Sequence, residues 1–567
     1  MALSNTTLGV LMATLDASIM LIAMPDIFRG IHLDPLQPGN SFYLLWMILS
    51  FLIVSSVLVV SLGRLGDMFG RVRMYNLGFA VYTLASLILT VDWLSGRAGA
   101  LYLVGFRVMQ GVGAAFLVAN SAAILTDAFP ENQRGLALGI NNVAGISGSF
   151  IGLVVGGLLA PIDWRLIFLV SVPFGAFGTV WAYLKLDDRG IRRPARVDWL
   201  GNGTFAVGLT LVMVGITYGI EPYGRDTMGW TNPSVLGELA AGVGLLIAFL
   251  FIETKVPNPM FRLRLFKIRA FSAGTLSSFL SALGRGGLMF MLIIWLQGIW
   301  LPQHGYSFSN TPLWAGIYML PLTAGFLLAG PASGILSDRF GSRPFATGGM
   351  VVAAASFVLL EMLPVDFSYP GFAALLLMNG LAMGAFAAPN RAGVMNSLPA
   401  SERGVGGGMN ATFQSSAQVL SIGVFFTLMI LGLSSALSTS LYKGLTAHGV
   451  TSAVAARAAS LPPVSTLFAA FLGYNPVGQL VGARGLARLS SSQRSALLGH
   501  SFFPGLISAP FRSGLHEAFA FSIAACLVAA VASWFRGKRY VDPGSQSTKS
   551  RKVLAPAENE APAMVDS

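Results

Sequence analysis

Apolar stretches of about 20 residues follow one another along almost the whole chain, with short polar segments between them. Each stretch is long enough to cross the hydrocarbon core of a bilayer as a helix. Inside a membrane the backbone must satisfy its own hydrogen bonds, so the stretches are predicted to be α-helices. The pattern predicts fourteen spans, at 6–28, 41–62, 74–93, 99–122, 135–160, 164–186, 199–220, 234–253, 271–299, 312–336, 345–364, 371–397, 405–433 and 515–535.

Two polar stretches recur at nearly the same distance along the chain. GRLGDMFGR at 63–71 matches GILSDRFGS at 334–342, and FPENQRGLALGINN at 129–142 matches LPASERGVGGGMNA at 398–411. Two markers at one offset indicate a duplicated six-span half. Spans seven and eight then form a pair inserted between two homologous halves.

The sequence therefore predicts an all-α polytopic membrane protein built from two six-helix bundles and an inserted helix pair. The first bundle is assigned to 1–190, the inserted pair with its basic loops to 191–270, and the second bundle to 271–540. The apolar loop at 434–514 is expected to fold against the outer face, with a short membrane-skimming helix. The polar tail at 541–567 is expected to be disordered.

The charges support this topology. Only 11% of the residues are charged, and 36 Lys and Arg against 24 Asp and Glu give a net charge of +12. The basic residues concentrate in the short loops that follow even-numbered spans, which places both termini in the cytoplasm of a bacterial cell by the positive-inside rule. The charge is therefore a topology signal and does not indicate a nucleic-acid partner. The single cysteine excludes an intramolecular disulfide.

Several stretches resemble one family. GRLGDMFGRVR at 63–73 looks like the signature that the major facilitator superfamily carries between spans two and three. Fourteen spans with a central pair resemble its drug–proton antiporter (multidrug efflux) branch. Further matches are LDASIMLIAMP at 15–25, RVMQGVGAA at 107–115, WRLIF at 164–168 and DWLG at 198–201. The resemblance implies the major facilitator fold and transport by alternating access.

The signature is predicted to form a conformational latch. Its glycines allow helices two and three to turn tightly, and Asp67 is expected to cap the next helix and pair with Arg71 or with a basic residue of the facing half. The resemblance implies that the latch favours the outward-facing state. A topogenic basic loop is the alternative. The predicted latch residues of both copies are Gly63, Asp67, Gly70, Arg71, Asp338 and Arg339.

One acid is predicted near the middle of the membrane. Asp16 lies about ten residues into the first span, which is about 15 Å deep at 1.5 Å per residue. An ionisable group at that depth is costly and is functional by default. Arg107 on span four is its natural partner, and the family pattern pairs these positions. We expect Asp16 to carry the coupling proton and Arg107 to tune it, with a fixed structural ion pair as the alternative.

Other polar residues inside the spans are assigned to the substrate cavity. Arg285 lies about 20 Å into span nine between glycines that should loosen the helix. It either faces the cavity and contacts an anionic or lipid-like group, or bonds to nearby backbone and snorkels outward. Gln297 and Asn120 are possible polar contacts, and Arg391 is assigned to packing or the inner gate.

Span five carries a small-residue face. Its glycines, which are expected to pack the N-terminal half on the C-terminal half, are Gly145, Gly148, Gly152 and Gly156. In the antiporters that the chain resembles, a proline usually follows the position of Gly152. Leu153 occupies that place here, which leaves antiport and uniport both open.

The leading interpretation is a proton-coupled exporter of amphipathic or hydrophobic compounds. A lipid or lipid-like metabolite exporter is the alternative within transport, and a non-transporting membrane sensor or scaffold is the alternative outside it. No enzyme is expected, and no cofactor or metal site, because the sequence lacks a phosphate-binding loop and a metal-ligand pattern. The expected partners are small amphipathic molecules, protons and the bilayer around a monomer.

Overall fold

The computed structural model describes residues 1–37, 39–188, 198–224, 226–257, 259–399 and 402–537. In the first half the helices are α1 (Ala2–Gly30), α2 (Asn40–Phe69), α3 (Arg71–Thr90), α4 (Gly96–Ala128), α5 (Glu131–Leu159), α6 (Leu166–Leu169) and α7 (Ser171–Lys185). The inserted pair is α8 (Trp199–Gly219) and α9 (Pro233–Lys255). A 3-10 turn at Leu263–Lys267 follows.

The second half begins with α10 (Arg269–Ile294), which continues through a π-helical turn (Trp295–Trp300) into α11 (Leu301–Gln303). Then come α12 (Thr311–Tyr318), α13 (Leu320–Phe340), α14 (Ser342–Met362), α15 (Tyr369–Asn396) and α16 (Arg403–Ala447). The remaining helices are α17 (Ser452–Ala459), α18 (Pro463–Phe471), α19 (Val477–Ala487), α20 (Ser491–Leu498) and α21 (Phe502–Trp534).

Within the described residues, fourteen helical segments are long and apolar enough to cross a membrane. The predicted all-α polytopic fold is therefore confirmed. Helix packing repeats between the two halves: α1 packs along α5, α2 and α3 pack on α4, and α7 packs on α3. In the second half α10 packs along α16, α13 and α14 pack on α15, and α21 packs on α14. This repeated pairing is what a duplicated six-span half predicts.

The inserted pair flanks the seam between the halves. Helices α8 and α9 pack on each other, and α8 also contacts α2 of the first half and α16 of the second. We call the ends of the helices near Arg64, Arg71 and Arg262 the basic end, and the other ends the far end.

The last two predicted spans are too short. Helix α16 runs to Ala447, well beyond the predicted end at 433, and α21 already begins at Phe502 rather than 515. The helix continues because Leu437, Leu441 and Leu445 recur every four residues and are all buried. This stripe is readable in the sequence, but the short polar residues between the leucines obscure it.

The segment predicted to skim the membrane lies inside the protein. Helices α17 and α18 are bent by 92° to each other, and all nine residues of α18 are buried. Helix α18 packs on α2, α16, α21 and the π-helical turn. Its apolar residues therefore cover protein rather than acyl chains, and the expectation of an interfacial helix is wrong.

Candidate functional site

Asp16 and Arg107 meet in the interior of the first half. Asp16 lies in the middle of α1 and is 0% exposed, while Arg107 on α4 is 1% exposed. The guanidinium Nη1 of Arg107 forms an ion pair with Asp16 Oδ2. The structure thus brings together the two residues that the sequence paired, and it places Asp16 among helices rather than among acyl chains.

Sequence reasoning missed a third member of this group, Gln110. Its Oε1 accepts a hydrogen bond from Arg107 Nη1 at 2.7 Å. Its Nε2 donates to Asp16 Oδ1 at 3.1 Å and to Ser86 Oγ at 2.9 Å. Gln110 stands three residues after Arg107 on the same helix face, so the signal was present in the spacing.

The rest of the arginine is held by α2. Arg107 Nε donates to the carbonyl oxygen of Met47 at 3.2 Å, and its guanidinium carbon lies 4.4 Å from the centre of the Phe51 ring. Helices α1, α2, α3 and α4 therefore converge on one buried charge pair.

The pair is close to electrically neutral while Asp16 is ionised. A proton on Asp16 would cancel the carboxylate and leave Arg107 as a buried cation facing a neutral amide, a carbonyl and an aromatic ring. Burial of an uncompensated charge is costly. The protonation state of Asp16 is therefore coupled energetically to the packing of α1 against α4.

The signature stretch forms a tight turn with a charge network in its own half. Gly70, between α2 and α3, has φ +109°, a conformation that side-chain-bearing residues rarely adopt. Arg71 Nε donates to Asp67 Oδ1 at 2.8 Å, and Arg71 Nη1 donates to Asp127 Oδ2 on α4 at 2.7 Å. Asp67 does not cap α3, because α2 continues to Phe69 and Gly70 is the N-cap without a side-chain bond.

The second copy repeats the turn. Gly341 separates α13 from α14 with φ +87°, and the Arg339 guanidinium lies 5.5 Å from the Phe340 ring centre. The side chain of Asp338 lies outside the described part of the chain. Gly63, the first glycine of the signature, is on α2 and faces Ala119 of α4 at ordinary contact distance.

The glycine face of α5 packs within the first half, and the expectation that it joins the two halves is wrong. A Cβ on Gly148 would lie 2.6 Å from the Leu11 carbonyl oxygen of α1, and the neighbours of Gly145, Gly152 and Gly156 also belong to α1. Helix α5 contacts the second half through the neighbouring face, which carries Gly157. A Cβ on Gly157 would lie 2.5 Å from the Leu313 Cα of α12.

Leu153 takes part in that contact. It is fully buried, and a Cβ on Gly316 of α12 would lie 3.0 Å from its carbonyl oxygen. At the same far end, Gln297 of the π-helical turn donates to the Ile22 carbonyl oxygen of α1 at 3.3 Å. The two halves are therefore in close contact at the far end.

Toward the middle and the basic end the halves meet at a few polar contacts. Ser56 and Ser416 share a hydrogen bond of 3.2 Å between α2 and α16. Arg391 Nη1 of α15 donates to Asn142 Oδ1 of α5 at 3.4 Å, although its side chain is exposed. Arg391 thus contacts the facing half, and its assignment to packing or the inner gate stays a prediction, while its neighbour Asn390 is buried against Ser278 of α10.

Arg285 lies on the α10 face that carries Ser278 and Ser281, which contact Asn390 and Met383 of α15. It is half-buried and has no hydrogen bond or ion pair within the described residues. The helix is locally opened beside the flanking glycines. The Ser421 hydroxyl of α16 donates to the Leu283 carbonyl oxygen and accepts from Gly287 N at 2.8 Å, so it is inserted between two groups that pair directly in a regular helix. The glycines are also contact points, since Cβ atoms on Gly286 and Gly287 would press on α16.

Gln297 and Asn120, the other predicted cavity residues, are both 0% exposed. Asn120 donates to the Phe116 carbonyl oxygen at 3.0 Å and packs so closely that a Cβ on Gly66 of α2 would overlap it. Neither residue lines an open cavity in this conformation, so their contact with substrate stays a prediction.

Comparison with known proteins agrees with this architecture. The family model described as Major Facilitator Superfamily matches residues 6–256 and 239–422. The tetracenomycin C resistance and export protein of Streptomyces glaucescens is 30% identical over 72% of this chain and 72% of its own length. The riboflavin transporter RibZ of Clostridioides difficile is 27% identical over 74% of this chain and 85% of its own length. The multidrug resistance protein Stp of Mycobacterium tuberculosis is 27% identical over 78% of each.

Solved structures with the same fold are more distant in sequence. A bacterial homologue of the human lysosomal transporter Spinster aligns with a TM-score of 0.55 at 15% identity, over 96% of this chain and 98% of that one. The peptide transporter POT in complex with sulfate aligns with a TM-score of 0.54 at 15% identity, over 84% and 95% of the two chains.

Proposed function

Because the chain belongs to the Major Facilitator Superfamily, we propose that it exports amphipathic or hydrophobic compounds by alternating access, driven by protons. It is a membrane transporter rather than an enzyme, and its relatives include named drug-resistance and export proteins. The far-end closure through Gly157 and Gln297 is one of the two alternating arrangements in this proposal.

The basic end faces the cytoplasm in this proposal, and both termini lie there. The support is the concentration of Lys and Arg in loops at that end. The Gly70 and Gly341 turns act as matched hinges. The Asp67–Arg71–Asp127 network ties α2, α3 and α4 together, so that the first half moves as one body when the transporter, acting as a monomer, changes state.

One observation carries the proton coupling: a fully buried carboxylate faces a fully buried guanidinium and one amide. Protonation of Asp16 unbalances Arg107, and the cost falls when the helices rearrange. One proton that moves across 100 mV releases about 2.3 kcal/mol before any pH gradient is counted. That is enough to shift a conformational equilibrium about fiftyfold.

The coupling is tested with Asp16→Asn in proteoliposomes under an imposed pH gradient, with a fluorescent amphiphile as substrate. Asp26→Asn is the matched control, because Asp26 lies on the same helix but pairs with Arg29 at the far end. We expect gradient-driven transport to be lost in Asp16→Asn while substrate binding is retained, and to persist in the control. Undiminished gradient-driven transport by Asp16→Asn would remove Asp16 from this role.

Because Leu153 stands where the antiporters usually have a proline, the choice between antiport and uniport needs its own test. Uptake into inverted vesicles is measured with and without a proton uncoupler, for a lipophilic cation, a neutral dye and a fluorescent phospholipid. We expect the uncoupler to abolish uptake, as antiport requires. Uptake that ignores the uncoupler would instead establish facilitated movement.

Arg285 favours a second candidate function, the export of an anionic amphiphile such as a lipid. A half-buried guanidinium without a protein acceptor in the described residues needs water or an anionic group to satisfy its five donors. A planar guanidinium suits a phosphate or carboxylate headgroup, which it can bind with two parallel hydrogen bonds.

Transport of an anionic and a cationic fluorescent amphiphile by Arg285→Gln distinguishes this candidate. We expect the anionic compound alone to lose transport, with partial recovery in Arg285→Lys. Arg484→Gln, which changes an exposed arginine of α19, serves as the control. Equal loss for both compounds in Arg285→Gln would argue for a structural role.

A further inference from the structure

The inserted helix pair carries two buried carboxyl groups at its basic end. Asp198 is the N-cap of α8 and is 6% exposed, and Glu253 near the end of α9 is 3% exposed. Each uses one oxygen for a backbone hydrogen bond. Asp198 Oδ1 accepts from Gly201 N at 2.8 Å, and Glu253 Oε2 accepts from Phe261 N at 2.7 Å.

The other two oxygens converge on one place. A Cβ on Gly201 would overlap Asp198 Oδ2 and would lie 2.7 Å from Glu253 Oε1. The two side chains are within hydrogen-bonding reach of each other. Both oxygens are buried, yet neither receives a hydrogen bond from the described residues. Two ionised carboxylates cannot supply the missing hydrogen, whereas one proton between them can.

The surrounding charges lead to the same count. Among the described residues, Arg64 of α2 is a basic residue whose charge acts on both carboxyl groups, and it also interacts with Asp67 and Arg262. Asp67 is bonded to Arg71. Arg262 and Arg264 both pair with Glu402 at the start of α16. Within the part of the chain that the structure describes, one guanidinium beside two carboxyl groups balances them when they hold one proton together.

We propose that Asp198 and Glu253 form a second proton-binding site, in which one shared proton joins the inserted helix pair to α2. It is separate from the Asp16–Arg107 pair and does not depend on transport. With the proton in place the two carboxyl groups attract. Without it, two negative charges face each other in a dry site, and like charges at such a separation repel strongly.

The site is positioned to act on the first half. Arg64 donates to the Pro259 carbonyl oxygen, two residues before the amide that Glu253 holds. Asn202, on the first turn of α8, donates to Ser61 Oγ of α2. Repulsion between Asp198 and Glu253 separates the start of α8 from the end of α9. It thereby strains both attachments to α2, about two turns before the Gly70 hinge.

The sign of the pH dependence follows from the shared proton. The pair stabilises the fold while it holds the proton and loses that contribution as the pH rises. The full-length protein is purified in detergent, and its Tm is followed from acidic to alkaline pH. Glu253→Gln replaces the proton with an amide N–H, and Asp198→Asn does the same while it keeps a good N-cap. Asp226→Asn, on the exposed loop between α8 and α9, is the control.

We expect each of the two variants to lose at least half of the fall in Tm with rising pH that the wild type and Asp226→Asn show. A second measurement keeps Asp198 and Glu253 intact, so it tests the proposal even if their variants do not fold. Infrared difference spectra of the wild type and of Asp16→Asn should show a protonated carboxyl band at mildly acidic pH that disappears as the pH is raised. An unchanged pH profile in both variants, or the absence of the band in Asp16→Asn, would overturn the proposal.

Discussion

Gly148 offers a direct test of how α5 packs on α1. In Gly148→Ala the new methyl group would lie 2.6 Å from the carbonyl oxygen of Leu11, and ordinary contact for a Cβ begins at 3.4 Å. The obstructing atom belongs to the backbone of a helix, so it cannot rotate away as a side chain could. Helix α1 must therefore retreat from α5 by about 0.8 Å, or the two helices must tilt apart.

The energetic cost follows from this displacement. Inserting one carbon into a close-packed contact typically destabilises a protein by about 1–3 kcal/mol. Asp16 lies five residues after Leu11 on the same helix, so the retreat also displaces its carboxylate relative to α4. The geometry of the hydrogen bond from Gln110 to Asp16, now 3.1 Å long, is expected to be disturbed. Transport should therefore fall together with stability.

The assay compares Tm in detergent and gradient-driven transport for Gly148→Ala and Gly139→Ala. Gly139 lies on the same helix, but a Cβ there has no neighbour within 4 Å. Alanine in a helix is favoured over glycine by about 0.5–1 kcal/mol, so Gly139→Ala should be at least as stable as the wild type. If Gly148→Ala matched Gly139→Ala in Tm, the close contact of α5 with α1 would not exist.

Three further predictions concern other contacts. Gly157→Ala should push α5 off the backbone of α12, disfavour far-end closure and raise the labelling of a cysteine introduced at the far end, since the chain's own cysteine, Cys526, is buried; unchanged labelling would contradict this. Burial alone would raise the pKa of Glu402, but the bonds that Glu402 makes with Arg262 and Arg264 outweigh burial and lower the pKa. Its contribution to stability is therefore present above the unfolded pKa and lost as the pH falls through the folded one. Glu402→Gln should cost up to about 1 kcal/mol at neutral pH and lower the acid sensitivity of Tm, and a Tm unchanged at neutral pH would count against this. Phe468→Ala should destabilise the protein by about 3–5 kcal/mol in denaturant titration because Phe468 is fully buried in α18, whereas Leu498→Ala, at a site 45% exposed, should change little.

Much of the candidate site could be predicted from local patterns in the sequence. The depth of Asp16 in an apolar span and the basic residue in span four, together with the pattern of the family that the chain resembles, predicted their pairing, since an unpaired charge at that depth is costly. The turn at Gly70 was equally predictable, because glycine spacing beside charged residues marks a position that needs positive φ. Gln110 was missed because a neutral amide in an apolar helix stands out less than a charge does.

The sequence was less informative about which helices and side chains contact each other. The glycines of α5 form a flat face in any helix, but nothing local says whether α1 or α12 covers it. The apolar content of α18 fits equally well with a bilayer surface or with a cleft between helices. In the structure α18 is buried between helices. Asp198 and Glu253 are 55 residues apart in sequence, so only the antiparallel packing of α8 and α9 makes them neighbours.

The sequence by itself determined the helical spans, the duplicated halves and the positions of the intramembrane charges. These follow from the length of apolar runs, from repeated motifs and from the cost of charge in hydrocarbon, all of which act along the chain. The tertiary structure alone decided which helix faces touch, where the segment with α17 and α18 lies and which acids are neighbours. Those outcomes depend on the shapes of surfaces that are distant in sequence, and a one-dimensional pattern does not contain them.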